Sequence, residues 1–330
     1  MEHAQILSDT VDDPNPEVTL DDRATALLTQ FNKEGRQSDL DDAIAFYRQS
    51  LELCPPLHYN RSTSLNNLGS ALKIRFEQKG QQNDLDDSIF LHRQALELRP
   101  LPHPGRSSSL SNLANALYAR FKQGGQQNDL DDSIFLYRQA LELRSLSYPN
   151  RSISLNNLAV ALHSQFDQRG QQSVLDESIF LHRQTLELRP LPHPDRPSSL
   201  NNLANALHVQ FKQGGQQKNL DESIDLYRQA LELFPLSHPN RPNNLNNLAN
   251  ALETKFEQEG QKNILDESIS LHREALELYP LHHPDRPTAL DNLANALHIQ
   301  FIEVGQENDL NESISLHRQA LELCPLLHPN

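Results

Sequence analysis

Six pairs of adjacent acidic residues stand at equal steps along the chain: Asp41-Asp42, Asp86-Asp87, Asp131-Asp132, Asp176-Glu177, Asp221-Glu222 and Asp266-Glu267. Paired carboxylates can share general acid and general base roles. Six near-identical pairs opening helical patterns fit dipole compensation and capping better, with an acidic ridge for a basic partner as the alternative. The 15 histidines invite a metal reading. His163 and His208 hold one position in adjacent repeats, on helices about 8–10 Å apart or more. Zinc ligands must converge to within about 2 Å of the ion. His92, His182, His272 and His317 recur at a helix packing position, and others fall in His-Pro turns, so structural or surface roles suit them. Cys54 and Cys324 share a repeat position six repeats apart and read as free buried thiols of a reducing compartment. No nucleophile elbow, phosphate-binding glycine loop or Cys-X-X-Cys occurs. The expectation is a non-catalytic protein with no cofactor and no metal.

The asparagines are the sharper chemistry. Asn66, Asn67, Asn112, Asn115, Asn156, Asn157, Asn201, Asn202, Asn205, Asn246, Asn247, Asn250, Asn292 and Asn295 all fall inside helical patterns. Asn costs several tenths of a kcal/mol against Ala in mid-helix, so two or three per helix imply a purpose. A primary amide both donates and accepts hydrogen bonds. A ladder of amides on one face could read the main chain of an extended peptide; alternatively the amides bond one another as structural glue. Neighbouring positions vary while the scaffold does not: Lys73, Tyr118, His163, His208, Glu253 and His298. They are the candidates for side-chain specificity, against neutral drift on an exposed face.

The elements that must position these residues recur every 45 residues. Leu40, Leu85, Leu130, Leu175, Leu220, Leu265 and Leu310 mark the register, and such a period implies a solenoid. In the repeat after Asn60, Leu65, Leu68, Leu72 and Phe76 are spaced 3, 4 and 4, one stripe of a helix. Asn60 is the expected N-cap, and Gly80 the C-terminal stop. A second helix follows, with Asn83 and Asp86 as a cap pair, apolar positions at Leu85, Ile89, Leu91, Ala95, Leu96 and Leu98, and Pro100 as its stop. One repeat offers about nine large apolar side chains, worth roughly 1.5–3 kcal/mol each when buried. Ordering its backbone costs about 1–2 kcal/mol per residue, so stacking on neighbours must supply the difference.

Composition narrows the partners. The 330 residues carry a formal charge of −15, and mean hydropathy is −0.64. That balance argues against nucleic acid or an anionic membrane as partner, since both need clustered Lys and Arg. No apolar run approaches the roughly 20 residues of a membrane span, and the N-terminus lacks signal-peptide features. A cytoplasmic location is expected.

The pattern resembles the tetratricopeptide repeat (TPR) family. Leu65, Leu68, Gly69 and Leu72 stand in the family's Trp, Leu, Gly and Tyr places, and Ser88, His92, Ala95 and Pro100 in its Ala, aromatic, Ala and Pro places. The repeat exceeds the usual length of about 34 residues; most of the excess follows Leu72, where Phe76 continues the stripe and extends the first helix. The Leu-Asn-Asn-Leu-Ala string at 155–159 and the His-Pro-Asp at 193–195 resemble the kinesin light chain branch. Similar fungal arrays are often joined to a caspase-like CHAT domain or a nucleotide-binding domain.

The resemblance implies an all-α, right-handed TPR-like superhelical solenoid of seven helix-turn-helix repeats. An acidic tail at 1–15 would precede an array at 16–330, with repeats at about 16–60, 61–105, 106–150, 151–195, 196–240, 241–285 and 286–330. It implies a protein-protein interaction scaffold that holds an extended peptide or partner segment in a concave groove lined by the first helices. The alternative is the sensor arm of a larger signalling protein, with a CHAT protease-like or nucleotide-binding domain beyond residue 330. A further expectation is self-association through an uncapped C-terminal end.

Overall fold

The computed structural model describes residues 16–145 and 150–323. Those residues form fourteen α-helices and no strand. First helices are α1 (Pro16–Glu34), α3 (Arg61–Lys79), α5 (Arg106–Gly124), α7 (Arg151–Arg169), α9 (Arg196–Gly214), α11 (Arg241–Glu259) and α13 (Arg286–Val304). Second helices are α2 (Gln37–Leu53), α4 (Gln82–Glu97), α6 (Gln127–Glu142), α8 (Gln172–Glu187), α10 (Gln217–Leu233), α12 (Lys262–Leu278) and α14 (Glu307–Leu323). The chain divides into two compact units between Gln168 and Arg169, at the end of α7.

Each first helix runs 19 residues, so the extra length does extend it. The stripe is buried as its spacing requires: Leu65, Leu68, Leu72 and Phe76 in α3, and their equivalents in α5, α9 and α11. In the first unit Phe76, Leu85, Ile89, Leu113, Ala116 and Leu117 form one cluster from α3, α4 and α5. In the second, Leu245, Ala275, Tyr279 and Ala289 join α11 to the following helix pair. A first helix is therefore packed both by its own partner and by the second helix before it, as a stacked repeat demands. Gly80 ends α3 at φ +68°, its N–H donating to the Phe76 carbonyl at 2.7 Å, the left-handed stop that glycine adopts without strain.

The expected side-chain caps are absent. Asn60 precedes α3 but makes no side-chain cap; its carbonyl accepts from the N–H groups of Thr63 and Ser64. α4 begins at Gln82, before Asn83, again without a side-chain cap. The acidic pairs lie further along the helix than a cap allows, and their first member reaches the next repeat. Asp41 accepts from Lys79 Nζ at 3.1 Å, Asp131 from Gln165 at 3.1 Å, and Asp221 from Lys255 at 3.1 Å. The second member reaches the preceding repeat in the second unit, where Glu222 pairs with Arg183 and Glu267 with Arg228. These carboxylates stitch repeats together. Their pairing with long-range partners, rather than with the local backbone, is why the capping expectation fails.

In two repeats of the first unit another carboxylate is more deeply held. Asp84 receives two bonds from Arg75, at 2.7 and 2.6 Å, and Asp129 receives two from Arg120, at 2.8 and 2.7 Å. The Asp84 hydrogen bond raises the Arg75 pKa. In the second unit the same two positions are Gln210 and Asn219, joined by a neutral bond of 2.8 Å. One lock exists in a charged and an uncharged form.

The arginine that opens each first helix from α3 on has a role that the sequence reading missed. A cation at a helix N-terminus opposes the dipole, yet Arg106, Arg151, Arg196, Arg241 and Arg286 all stand there. Each reaches back to the preceding helix end. Arg196 Nη1 donates to the carbonyls of Leu186 at 3.3 Å and Arg189 at 2.7 Å, and Arg286 Nη1 to those of Leu276 at 2.9 Å and Tyr279 at 2.7 Å. Helix C-termini leave carbonyls without intrahelical partners, and these guanidinium groups satisfy them. Arg196→Met, which keeps the volume, is expected to destabilise the second unit by about 2 kcal/mol in urea unfolding. A loss under about 0.5 kcal/mol would remove the cap from the account.

Arg99 and Arg189 are buried one residue before the loop proline. Arg99 donates to Ser62 at 3.1 Å, Thr63 at 3.1 Å and Ser109 at 2.9 Å, tying α3 to α5; burial lowers its pKa. Phe234 and Tyr279 replace it in later repeats and are buried in turn. Cys54 holds the same position in the first repeat, as a free buried thiol whose pKa burial raises. Cys324 lies outside the described residues.

Candidate functional site

The inward stripe of each first helix leaves most of its asparagines on another face, half-buried. In the first unit a cavity of about 620 Å³ opens among α3, α5 and α7. Lys73, Asn115, Tyr118, Asn156, Asn157 and Lys122 line it, over a floor of Phe76, Ala119 and Val160. The structure thus brings five of the sequence-derived site residues together here: Lys73, Tyr118, Asn115, Asn156 and Asn157. Lys122, Glu77 and Gln123 were not anticipated. They stand on the extended part of the first helix, one turn beyond Lys73 and Tyr118, so the helix extension itself was the available signal.

The amides are oriented before any ligand arrives. Tyr137, fully buried on α6, donates its hydroxyl to Asn115 Oδ1 at 2.7 Å, and Asn157 Nδ2 donates to the same oxygen at 3.0 Å. That oxygen is then saturated, and the Asn115 amide presents its N–H groups. Asn112 Nδ2 donates to Asn66 Oδ1 at 3.1 Å and Ser70 Oγ at 3.4 Å. In the second unit Asn201 Oδ1 accepts from Asn244 at 3.1 Å and Asn247 at 3.2 Å, and Asn205 Oδ1 from the buried Tyr227 hydroxyl at 2.5 Å. The amides bond one another across repeats, as the glue reading expects: Nδ2 of Asn112, Asn157, Asn244 and Asn247 each donates to an amide oxygen of another first helix. Asn67, Asn202, Asn250 and Asn292 are half-buried and Asn295 is exposed.

The variable positions divide. Lys73 pairs with Glu77, and the Tyr118 hydroxyl lies 2.8 Å from Ser164 Oγ. His163 lies 3.7 Å from Asp167, and burial lowers its pKa. His208 is buried, with Nε2 3.0 Å from Thr254 Oγ1, and its pKa falls to about 4 through burial and then the charge of Lys212. Glu253 turns to His272, 2.8 Å from its Nε2, and accepts from Ser268 Oγ at 3.0 Å. His298 is exposed against Phe301. Lys73 and Tyr118 face the cavity, whereas His208 and Glu253 are bound within the second unit.

The loop histidines have fixed orientations. Nδ1 of His103, His193, His238 and His283 accepts the backbone N–H two residues on, at 3.0 to 3.2 Å. In the neutral ring that leaves the proton on Nε2, which therefore offers no lone pair to a metal. Among the described residues no group of three His, Cys, Asp or Glu could hold a metal ion, and no helix is long and apolar enough to cross a membrane.

No family model matches the chain, and no curated protein does. Solved structures do. BtubC (BKLC) from P. vanneervenii superposes with a TM-score of 0.50 at 18% identity, over 79% of this chain and 94% of that one. A putative kinesin light chain from Podosopora anserina, with nearly identical TPR-like repeats, gives 0.47 at 21% identity, over 68% of this chain and 97% of that one. A TPR repeat-containing protein from Cytophaga hutchinsonii gives 0.49 at 14% identity, over 92% and 95%. The repeated helix pairs, with the superposition on BtubC (BKLC), establish the fold: an all-α array of TPR-like helix pairs.

Proposed function

We propose that the chain is a non-catalytic binding protein that holds an extended peptide segment of a partner against its first helices. A scaffold for protein partners is the general role that the repeat fold supports. The observation that carries the finer reading is the orientation of the amides. Asn115 Oδ1 is occupied by Tyr137 and Asn157, and Asn205 Oδ1 by Tyr227, so at these two positions the open valences are N–H donors. Donors suit the carbonyl oxygens of an extended main chain, which any peptide sequence provides. Side-chain choice would come from Lys73, Tyr118 and Lys122 in the first unit, where the exposed Lys122 ammonium favours an acidic residue. Peptides selected from a random linear library on the wild-type protein are expected to lose at least about tenfold in affinity, roughly 1.4 kcal/mol, on the variant Asn115→Ala, Asn157→Ala, Lys122→Ala, with helicity unchanged. Equal affinity for the variant would overturn the reading.

A further inference from the structure

The second unit carries another surface, at the loop edge where second helices end. Leu191, Leu236 and Leu281 occupy one loop position in three consecutive repeats and are 65, 77 and 62% exposed. Leu188, Leu233 and Leu278, three residues before each, are also exposed. The second and third of these loops adjoin. Leu236 and Pro239 of one loop share a cavity of about 290 Å³ with Leu278, Pro280 and His283 of the next. A second cavity, of about 510 Å³, sets Leu191 and Pro190 beside Leu226 of the following helix. Scattered surface leucines need no explanation, but a repeated apolar row does.

Charge and spacing define what fits. Glu187, Glu232 and Glu277 stand beside these leucines, exposed and without an ion pair among the described residues. The nearby cations are already engaged: Arg183 with Glu222, Arg228 with Glu267, Arg241 with Glu274, and the guanidinium groups of Arg196 and Arg286 with carbonyls. The edge is thus apolar with an acidic rim. The Arg183–Glu222 and Arg228–Glu267 pairs link α8 to α10 and α10 to α12, so the leucine position recurs at a regular step along the edge. A helix with apolar residues at seven-residue steps presents one apolar stripe, which such a repeated row can receive.

We propose that this edge docks a basic amphipathic helix of a partner protein. Apolar side chains at seven-residue steps would enter the row of Leu191, Leu236 and Leu281, and lysine or arginine would meet Glu187, Glu232 and Glu277. A second copy of this chain is a poor occupant, because each copy carries −15 and would set acid against acid. The site is separate from the asparagine face and does not depend on it.

The test uses a synthetic helical peptide with leucine at every seventh position among lysines, and a control of the same composition with the leucines scattered. Fluorescence anisotropy on the full chain is expected to favour the heptad peptide. The triple change Leu191→Asp, Leu236→Asp, Leu281→Asp should weaken it by at least about tenfold, as should Glu187→Lys, Glu232→Lys, Glu277→Lys. Asn115→Ala with Asn157→Ala should leave it unchanged. All six edge residues are exposed, so folding is retained and circular dichroism checks it. Equal binding of both peptides, or binding indifferent to the leucine and glutamate changes, would overturn the proposal. So would sedimentation with anionic vesicles, or a doubling of mass abolished by the leucine changes.

Discussion

Lowering the pH from 6.5 to 4 is expected to remove about 3 kcal/mol from the stability of each unit. His92 in the first unit and His208 in the second are buried, and their pKa falls from the ordinary 6.5 to about 4. For His92 burial is the main cause, followed by the charges of Lys73 and Arg99. Its ring lies against Gly69, where an added Cβ would sit 3.0 Å from the imidazole, and neither nitrogen has a hydrogen-bond partner. Above pH 6.5 the rings are neutral in both folded and unfolded chains. Between 6.5 and 4 the unfolded chain binds protons that the folded chain refuses, so stability falls through that window and levels off below it. Each pH unit of separation is worth about 1.36 kcal/mol, which gives roughly 3 kcal/mol per histidine. Urea unfolding at stepped pH measures the loss. His92→Leu and His208→Leu should flatten the profile between pH 6.5 and 4 in their respective units; an unchanged slope in both variants would refute the assignment.

The second large effect is a coupling. Arg75 and Asp84 share two short bonds and are largely withdrawn from water. Removing one partner leaves the other's charge unpaired, which costs about 3–5 kcal/mol when fully buried. Arg75 keeps some exposure, so Arg75→Gln or Asp84→Asn alone is expected to cost about 2–3 kcal/mol. The double change recreates the pair found at Gln210 and Asn219, and should restore most of the loss. The interaction energy from a double-mutant cycle should then reach about 2 kcal/mol. Additive single effects would show that the two positions do not form one interchangeable lock.

Which features were legible follows from the range of the interactions behind them. Leu65, Leu68, Leu72, Phe76 and Gly80 act through their own helix, and spacing alone located them. The arginine after each N-cap position was visible as an oddity, a cation at the wrong helix end, but its targets are carbonyls of the previous repeat. Asp84 and Asp86 occupy places where a local rule predicts capping, while Arg75 and the next repeat's first helix claim them instead. The asparagines were recognisable as purposeful because Asn is costly in mid-helix. Their division between glue and open donors depends on Tyr137 and Tyr227, from another helix, which no spacing rule could supply. His208 and Glu253 varied as specificity positions would, yet Thr254 and His272 draw them into the second unit. Lys122 lay outside the positions compared between repeats, one turn beyond Tyr118 on the extended first helix.

The central claim is that the asparagine face receives a peptide main chain through amide N–H groups. The most direct test follows the side-chain NH2 resonances of Asn115 and Asn157 by NMR while a library-selected peptide is titrated in. The account predicts that both shift saturably and in step with binding measured by anisotropy, and that Asn115→Ala abolishes its own signal and weakens the peptide. Saturable binding that leaves both NH2 pairs unmoved would contradict it.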